Sequence, residues 1–288
     1  MNALPGLTAA LGWGVGDFLS RFVTREIGAF RSLFYFQFLG LAGISVYLIA
    51  TGKLGALALL GPTAWGWMAL GCVLNIFASF ALFRSFEIGL LTLVSPIAAS
   101  YGALTGALAY LSGERLGTGK TIALAVVLFG VVLASTGPAP EGESRSWRRL
   151  PPGVAWALAG SATFGMLFWL LGFRITPAFG PIVPVWIFRL VAPFVLALLA
   201  APLGRRLDLP PRRIWALLSV IGLLDTGAFL ASTWGLSLGD VTLTTVLTSM
   251  FSAITVLLAA IFLRERVAPW QWAGVAILVV GIPLTQAL

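Results

Sequence analysis

Charge-free runs of the length that a helix needs to cross a bilayer recur along this chain, among them residues 32–52, 54–83, 88–113, 150–173, 241–263 and 267–288. A crossing takes about 20 apolar residues. With 59% hydrophobic and only 10% charged residues, the chain cannot cover itself with polar surface, since a soluble domain carries about 25% charged residues. The bilayer must be its solvent, and the expected class is an all-α integral membrane protein.

Ten transmembrane helices fit the pattern, at about 4–21, 31–51, 64–83, 90–111, 118–136, 152–173, 182–202, 214–235, 241–263 and 267–286. Pro and Gly mark the breaks: Gly61-Pro62 precedes the third helix and Pro210-Pro211 the eighth, because neither residue holds a helix ladder well. The longest polar link, 138–151, leaves five helices on either side. The two sides echo one another. Gly113-Glu114-Arg115 follows one apolar run and Arg264-Glu265-Arg266 another; Gly130 and Gly281 each stand sixteen residues beyond their Glu, and Asn75 aligns with Asp225. The order of these marks indicates a duplication. Five is odd, so the second unit enters the membrane from the opposite side. Two inverted five-helix repeats, 1–137 and 152–288, are expected around a central cavity near the midplane.

The Lys and Arg residues are uneven. Of the 18, thirteen fall in the loops of one face, among them Arg31, Arg84, Arg205, Arg206, Arg212 and Arg213. Four fall on the other face, and Arg189 lies within a span. The rule that positive loops stay inside places both termini outside. A net charge of +8 can signal a nucleic-acid partner, but here the cations sit in short loops between apolar runs, so no nucleic acid is expected. Cys72 is the single cysteine and there is no His. That excludes an intrachain disulfide, a cysteine cluster and imidazole catalysis. Residues Met1–Gly6 lack a basic leader, so the first helix is expected to be retained.

These marks together resemble a known family. Paired halves, each with an apolar helix, a Gly/Arg-Glu-Arg turn and another apolar helix with a late Gly, are similar to the EamA repeats of the drug/metabolite transporter superfamily. Gly12-Trp13-Gly14, Ser95-Pro96 and Arg189 match further features of that family. Gln37 stands where its first repeat usually has Arg, and Leu247 where Pro is expected. Family habit puts the termini in the cytoplasm, against the charge count. Within the family the chain most resembles bacterial aromatic and neutral amino acid exporters. The resemblance implies efflux of free amino acids across an inner membrane by a multi-pass protein.

Ionisable groups inside a span cost about 2.5–3.5 kcal/mol each on insertion scales, so each needs a reason. Asp17 stands four residues before Arg21, a spacing that suits a local ion pair; alternatively it recognises a substrate ammonium or a coupling proton at a cavity wall. Gly12, Gly14 and Gly16 would loosen its helix and expose carbonyls. Arg189 and Asp225 either pair with one another, or Arg189 receives a substrate carboxylate and Asp225 gates. Asn75, Ser79 and Phe83 form a stripe on the third helix, suited to an amphipathic substrate or to interhelical hydrogen bonds. Trp13, Gln37, Tyr101 and Trp169 complete the candidate substrate-binding residues. Glu114 and Glu265 read as structural caps or interfacial ion pairs.

The expected function is a secondary transporter exporting amino acids by alternating access, with the lipid bilayer and a small-molecule amino acid as partners. The alternative is a drug or cationic metabolite exporter with a carboxylate-centred site that does not need Arg189. A membrane enzyme is the remote alternative: no catalytic constellation, metal site or cofactor is expected, and no phosphate-binding Gly-rich loop is present. Substrate identity, proton coupling and oligomeric state are not legible.

Overall fold

The computed structural model describes residues 3–51, 60–115, 117–135, 150–265, 268–274 and 276–277. Most of the link 138–151, with Lys53, Arg266 and Gly281, lies outside the described residues. The described residues form helices: α1 (Ala3–Ile27), α2 (Ala29–Thr51), α3 (Pro62–Ile88), α4 (Leu91–Ala99), α5 (Tyr101–Leu111), α6 (Thr118–Ser135), α7 (Val154–Leu170), α8 (Thr176–Phe179), α9 (Val183–Ala200), α10 (Trp215–Ser237), α11 (Val241–Thr248) and α12 (Phe251–Phe262). Residues 269–274 and 276–277 are helical as well. A π-helical turn, Leu171–Ile175, joins α7 to α8.

Among the described residues, seven stretches are long and apolar enough to cross a membrane: Ala29–Val46, Pro62–Ile88, Leu91–Leu111, Val154–Phe179, Val183–Ala200, Arg212–Ser237 and Val241–Phe262. This is an all-helical, multi-pass membrane protein. α1 and α6 occupy the positions expected for the first and fifth helices.

Two expected single helices are broken. The span 91–111 divides at Ser100 into α4 and α5, and the span 241–262 divides at Ser249-Met250 into α11 and α12. Pro96 lies inside α4 and has no N–H to give the carbonyl four residues back, which belongs to Thr92. That carbonyl instead accepts from Gln271 Nε2 at 3.2 Å. The second break has no proline. There Thr248 Oγ1 and Ser249 Oγ donate back to the carbonyls of Thr245 and Val246 at 2.9 and 2.7 Å, the side-chain competition that bends helices.

α1 packs chiefly on α10, α11 and α12, while α7 packs on α3, α4 and α5. The N-terminal and C-terminal parts of the chain therefore grip one another through crossed helices. Glycines set the approach. A Cβ at Gly14 of α1 would stand 2.5 Å from the Ile254 Cβ, and one at Gly165 of α7 would stand 2.8 Å from Leu104. The expectation that Gly12, Gly14 and Gly16 loosen α1 is therefore corrected: the helix is unbroken, Gly12 lies against Ala228 and Gly14 against Ile254. Small residues are used here for close packing.

The two Glu turns tie the broken spans together. The Glu114 carboxylate accepts from the Thr242 N–H at 3.2 Å and from Thr242 Oγ1 at 2.7 Å, at the start of α11. The Glu265 carboxylate accepts from the Thr92 N–H at 3.1 Å and from Thr92 Oγ1 at 2.9 Å, at the start of α4. Each acid follows one broken span and serves the helix start of the other. The positive end of a helix favours a carboxylate there, and the free N–H groups of the first turn supply the bonds. The two spans accordingly run antiparallel, with α4 against α12 and α5 against α11.

Candidate functional site

The breaks at Ser100 and Ser249-Met250 place Tyr101 and Phe251 halfway along their spans. From there a ladder of four rings crosses the core. Tyr101 stacks between Phe251 (centroids 6.3 Å apart) and Phe168 (4.9 Å), and Phe168 stacks in turn on Phe229 at 6.0 Å. Trp13 meets Phe168 and Phe229 edge-on at 5.8 and 5.2 Å. The Tyr101 hydroxyl lies 2.6 Å from Thr248 Oγ1, so the polar end of the ring is satisfied while its faces remain apolar.

These rings, with Phe36, Phe83, Phe164, Ser79, Leu82 and Ala98, enclose a central cavity that also receives Asp17 and Asp225. The cavity is small, about 30 Å³. A ligand pocket ordinarily takes roughly 300–1,000 Å³, so the site must widen to admit a substrate.

Behind one wall lies a polar cluster. Trp13 Nε1 donates to Asp225 Oδ1 at 2.9 Å. Asp225 Oδ2 accepts from Arg189 Nη2, Gln37 Oε1 accepts from Arg189 Nη1, and Thr226 Oγ1 accepts from Arg189 Nε. Arg189 is 1% exposed, and its guanidinium faces Phe229 and Phe36 at 5.4 and 5.9 Å. Gly40 makes the space: a Cβ there would collide with Thr226 Oγ1 and lie 3.2 Å from the Arg189 side chain. A buried cation is tolerable only with this degree of pairing. Asp17 is different. It too is buried, but its Oδ2 has no hydrogen-bond partner. Among the described residues no three Cys, Asp or Glu groups converge as metal ligands would.

Residues 151–286 match the EamA-like transporter family. The second half of the chain is thus similar to that family. One solved structure superposes with a TM-score of 0.77, covering 99% of this chain and 96% of its own at 21% sequence identity; at that identity it shows a shared fold. Among curated proteins, no sequence matches.

The expected site residues divide into four groups. Trp13, Asp17, Ser79, Phe83, Tyr101 and Asp225 all line the cavity. Gln37 and Arg189 stand behind Asp225, one layer out. Asn75 is buried, and neither atom of its amide finds a partner. Trp169 is placed away from the cavity: its Nε1 donates to Ser112 Oγ at 2.8 Å and its ring stacks on Phe173. Phe168, one residue earlier, takes the cavity position. Asp17 does not pair with Arg21, which instead meets Glu265 at 2.7 Å. Phe36, Phe164, Phe168, Phe229 and Phe251 were not anticipated. One signal was present: Tyr101 and Phe251 are separated by the same interval as Asn75 and Asp225.

Proposed function

We propose that the chain exports small molecules that join a cationic amine to an apolar or aromatic body. One observation carries this reading: the acidic side chains lining the cavity are Asp17 and Asp225, amid aromatic rings and with no Lys or Arg among the described lining residues. Ring faces and carboxylates both attract a cation, and the attraction grows when water is excluded. Arg189 is the nearest cation, and it is held by Asp225, Gln37 and Thr226. A substrate carboxylate would first have to displace Asp225. The free carboxylate oxygen of Asp17 is the natural seat for the ammonium group.

Transport by alternating access between two inverted five-helix repeats, 1–137 and 152–288, accounts for the constricted cavity. The reciprocal bonds of Glu114 to Thr242 and of Glu265 to Thr92 support that symmetry, as do the crossed packings of α1 and α7. The midplane breaks then lie where substrates bind in inverted-repeat transporters. The membrane concerned is, on this reading, a bacterial inner membrane.

Export of aromatic or neutral amino acids is the second reading, and the position of Arg189 directly behind Asp225 favours it. If Asp225 swings aside, the guanidinium can take a carboxylate in a bidentate contact while Asp17 takes the ammonium. Counterflow in proteoliposomes separates the two. Vesicles loaded with 2-phenylethylamine should accumulate the labelled amine, and Asp17→Asn should slow this by about tenfold, equivalent to ~1.4 kcal/mol. Exchange of phenylalanine without exchange of the amine, abolished by Arg189→Lys, would replace the amine reading with the amino acid one.

A further inference from the structure

A second pocket lies on the arginine-rich face, remote from the aromatic cavity in its lining. Gly28, at φ +82°, turns the chain between α1 and α2. Only a residue without Cβ takes that conformation readily. The turn sets Arg31 beside Arg84, near the end of α3, and beside Arg205 and Arg206, just after α9. Glu87 and Asp208 are the carboxylates of the same pocket, so four cations against two anions leave a net charge of +2. Arg84 is neutralised by Glu87 at 2.6 Å, and Glu87 also accepts from the Ala29 N–H at 3.0 Å. Arg31 Nη2 donates to the Asp208 carbonyl at 2.6 Å. The side chains of Arg205 and Arg206 have no hydrogen-bond or ion-pair partner among the described residues, and both are exposed.

The floor of this pocket is apolar. Phe30 and Phe80, edge-to-face at 6.5 Å, line it, and the same two rings begin a long groove between α3 and α9. Met68, Cys72 and Phe77 form one side of the groove, and Ile187, Val195 and Leu199 the other. Its volume is about 580 Å³, and it extends along α3 from Phe80 to Trp65. Fifteen residues at 1.5 Å each give a run of about 22 Å. One leaflet of the hydrocarbon core is roughly 15 Å deep, half of the ~30 Å total.

We propose that this composite site holds an anionic phospholipid, with its phosphate at Arg205 and Arg206 and an acyl chain in the groove between α3 and α9. Three features select that occupant. Uncompensated positive charge calls for an anion, and unpaired Arg binds phosphate well. The apolar groove starts where the charge ends and is long enough for one leaflet's chain, so a soluble phosphate would leave it unused. A basic pocket between helices at the membrane surface is also where anionic headgroups are recognised. A zwitterionic lipid brings its own cation and would leave the +2 in place. The occupant wedges α3, which carries Ser79 and Phe83 into the central cavity, against α9, which carries Arg189. Lipid composition would thereby bear on the helices that line the transport site.

The test is retention of lipid by the full chain, extracted in mild detergent from vesicles of equal phosphatidylglycerol and phosphatidylcholine, with bound lipid counted by mass spectrometry. The expected result is a severalfold enrichment of phosphatidylglycerol, lost in Arg205→Gln/Arg206→Gln and kept in Arg212→Gln/Arg213→Gln. The control pair removes the same charge from the same face outside the pocket. Ala69→Trp, which fills the groove, should lower retention of both lipids, and Val73→Trp repeats that arm if the first variant does not fold. No enrichment in the parent protein would overturn the proposal. So would equal loss in the control pair, or displacement of the lipid by glycerol phosphate at a concentration equal to the lipid's.

Discussion

At one end of the broken spans Glu265 holds the start of α4 through Thr92, and it also meets Arg21 of α1 at 2.7 Å. At the other end Glu114 holds the start of α11 through Thr242 in the same manner, and among the described residues it has no ion-pair partner. Both members of the Arg21–Glu265 pair are nearly enclosed, their side chains 10% and 9% exposed. The caps are common to both ends. The ion pair belongs to one, and it ties α1 to that end alone. A transporter that opens its two ends in turn would pull apart a buried pair on one side and only a capped helix start on the other.

The sharpest way to break this comparison is Glu265→Ala. It removes the cap and strands Arg21 as an enclosed charge, a change worth about 3–5 kcal/mol; thermal unfolding in detergent should show by far the largest loss among these variants. Glu114→Ala removes a cap alone, so the same measurement should register about 2 kcal/mol or less. Equal losses from the two would mean that the ion pair does not distinguish the ends. Thr92→Val and Thr242→Val each delete one hydroxyl donor and leave the N–H bond. Each should cost about 1 kcal/mol, alike at both ends if the caps are equivalent. The smallest effect is expected from Arg21→Met with Glu265→Gln. This pair keeps an acceptor for Thr92 and removes both charges together, so stability should stay within ~1 kcal/mol of the parent. On the proposed alternating-access cycle, the same double variant should change the balance between the two access states, read by the side from which substrate binds.

The Glu marks were legible in the sequence as caps or ion pairs, and both readings hold at Glu265. Its cation was not legible. Asp17 and Arg21 are four apart on one helix, which made the local pair the simple expectation, but α1 leans on α12 and Arg21 reaches Glu265 first. The breaks within 91–111 and 241–262 were half legible. Pro96 is an evident interruption. Thr248 and Ser249 act only through where their hydroxyls turn. Trp169 and Phe168 show the limit of a helical reading: neighbours on a helix point about 100° apart, and whether the phase favours one or the other depends on how α7 seats against α3, α4 and α5.

Taken alone, the sequence determined that this chain lives in a bilayer, that it is helical, and where the main links between its spans fall. These are properties of local composition, because the cost of placing charge or broken backbone in hydrocarbon is paid residue by residue. The tertiary structure decided which charges are spoken for. Arg189 is bound by Asp225, Gln37 and Thr226 from two other helices, and Asp17 keeps a free oxygen toward the aromatic cavity. Such pairings join residues more than thirty positions apart and depend on side-chain direction and helix crossing. No run of adjacent residues encodes either one.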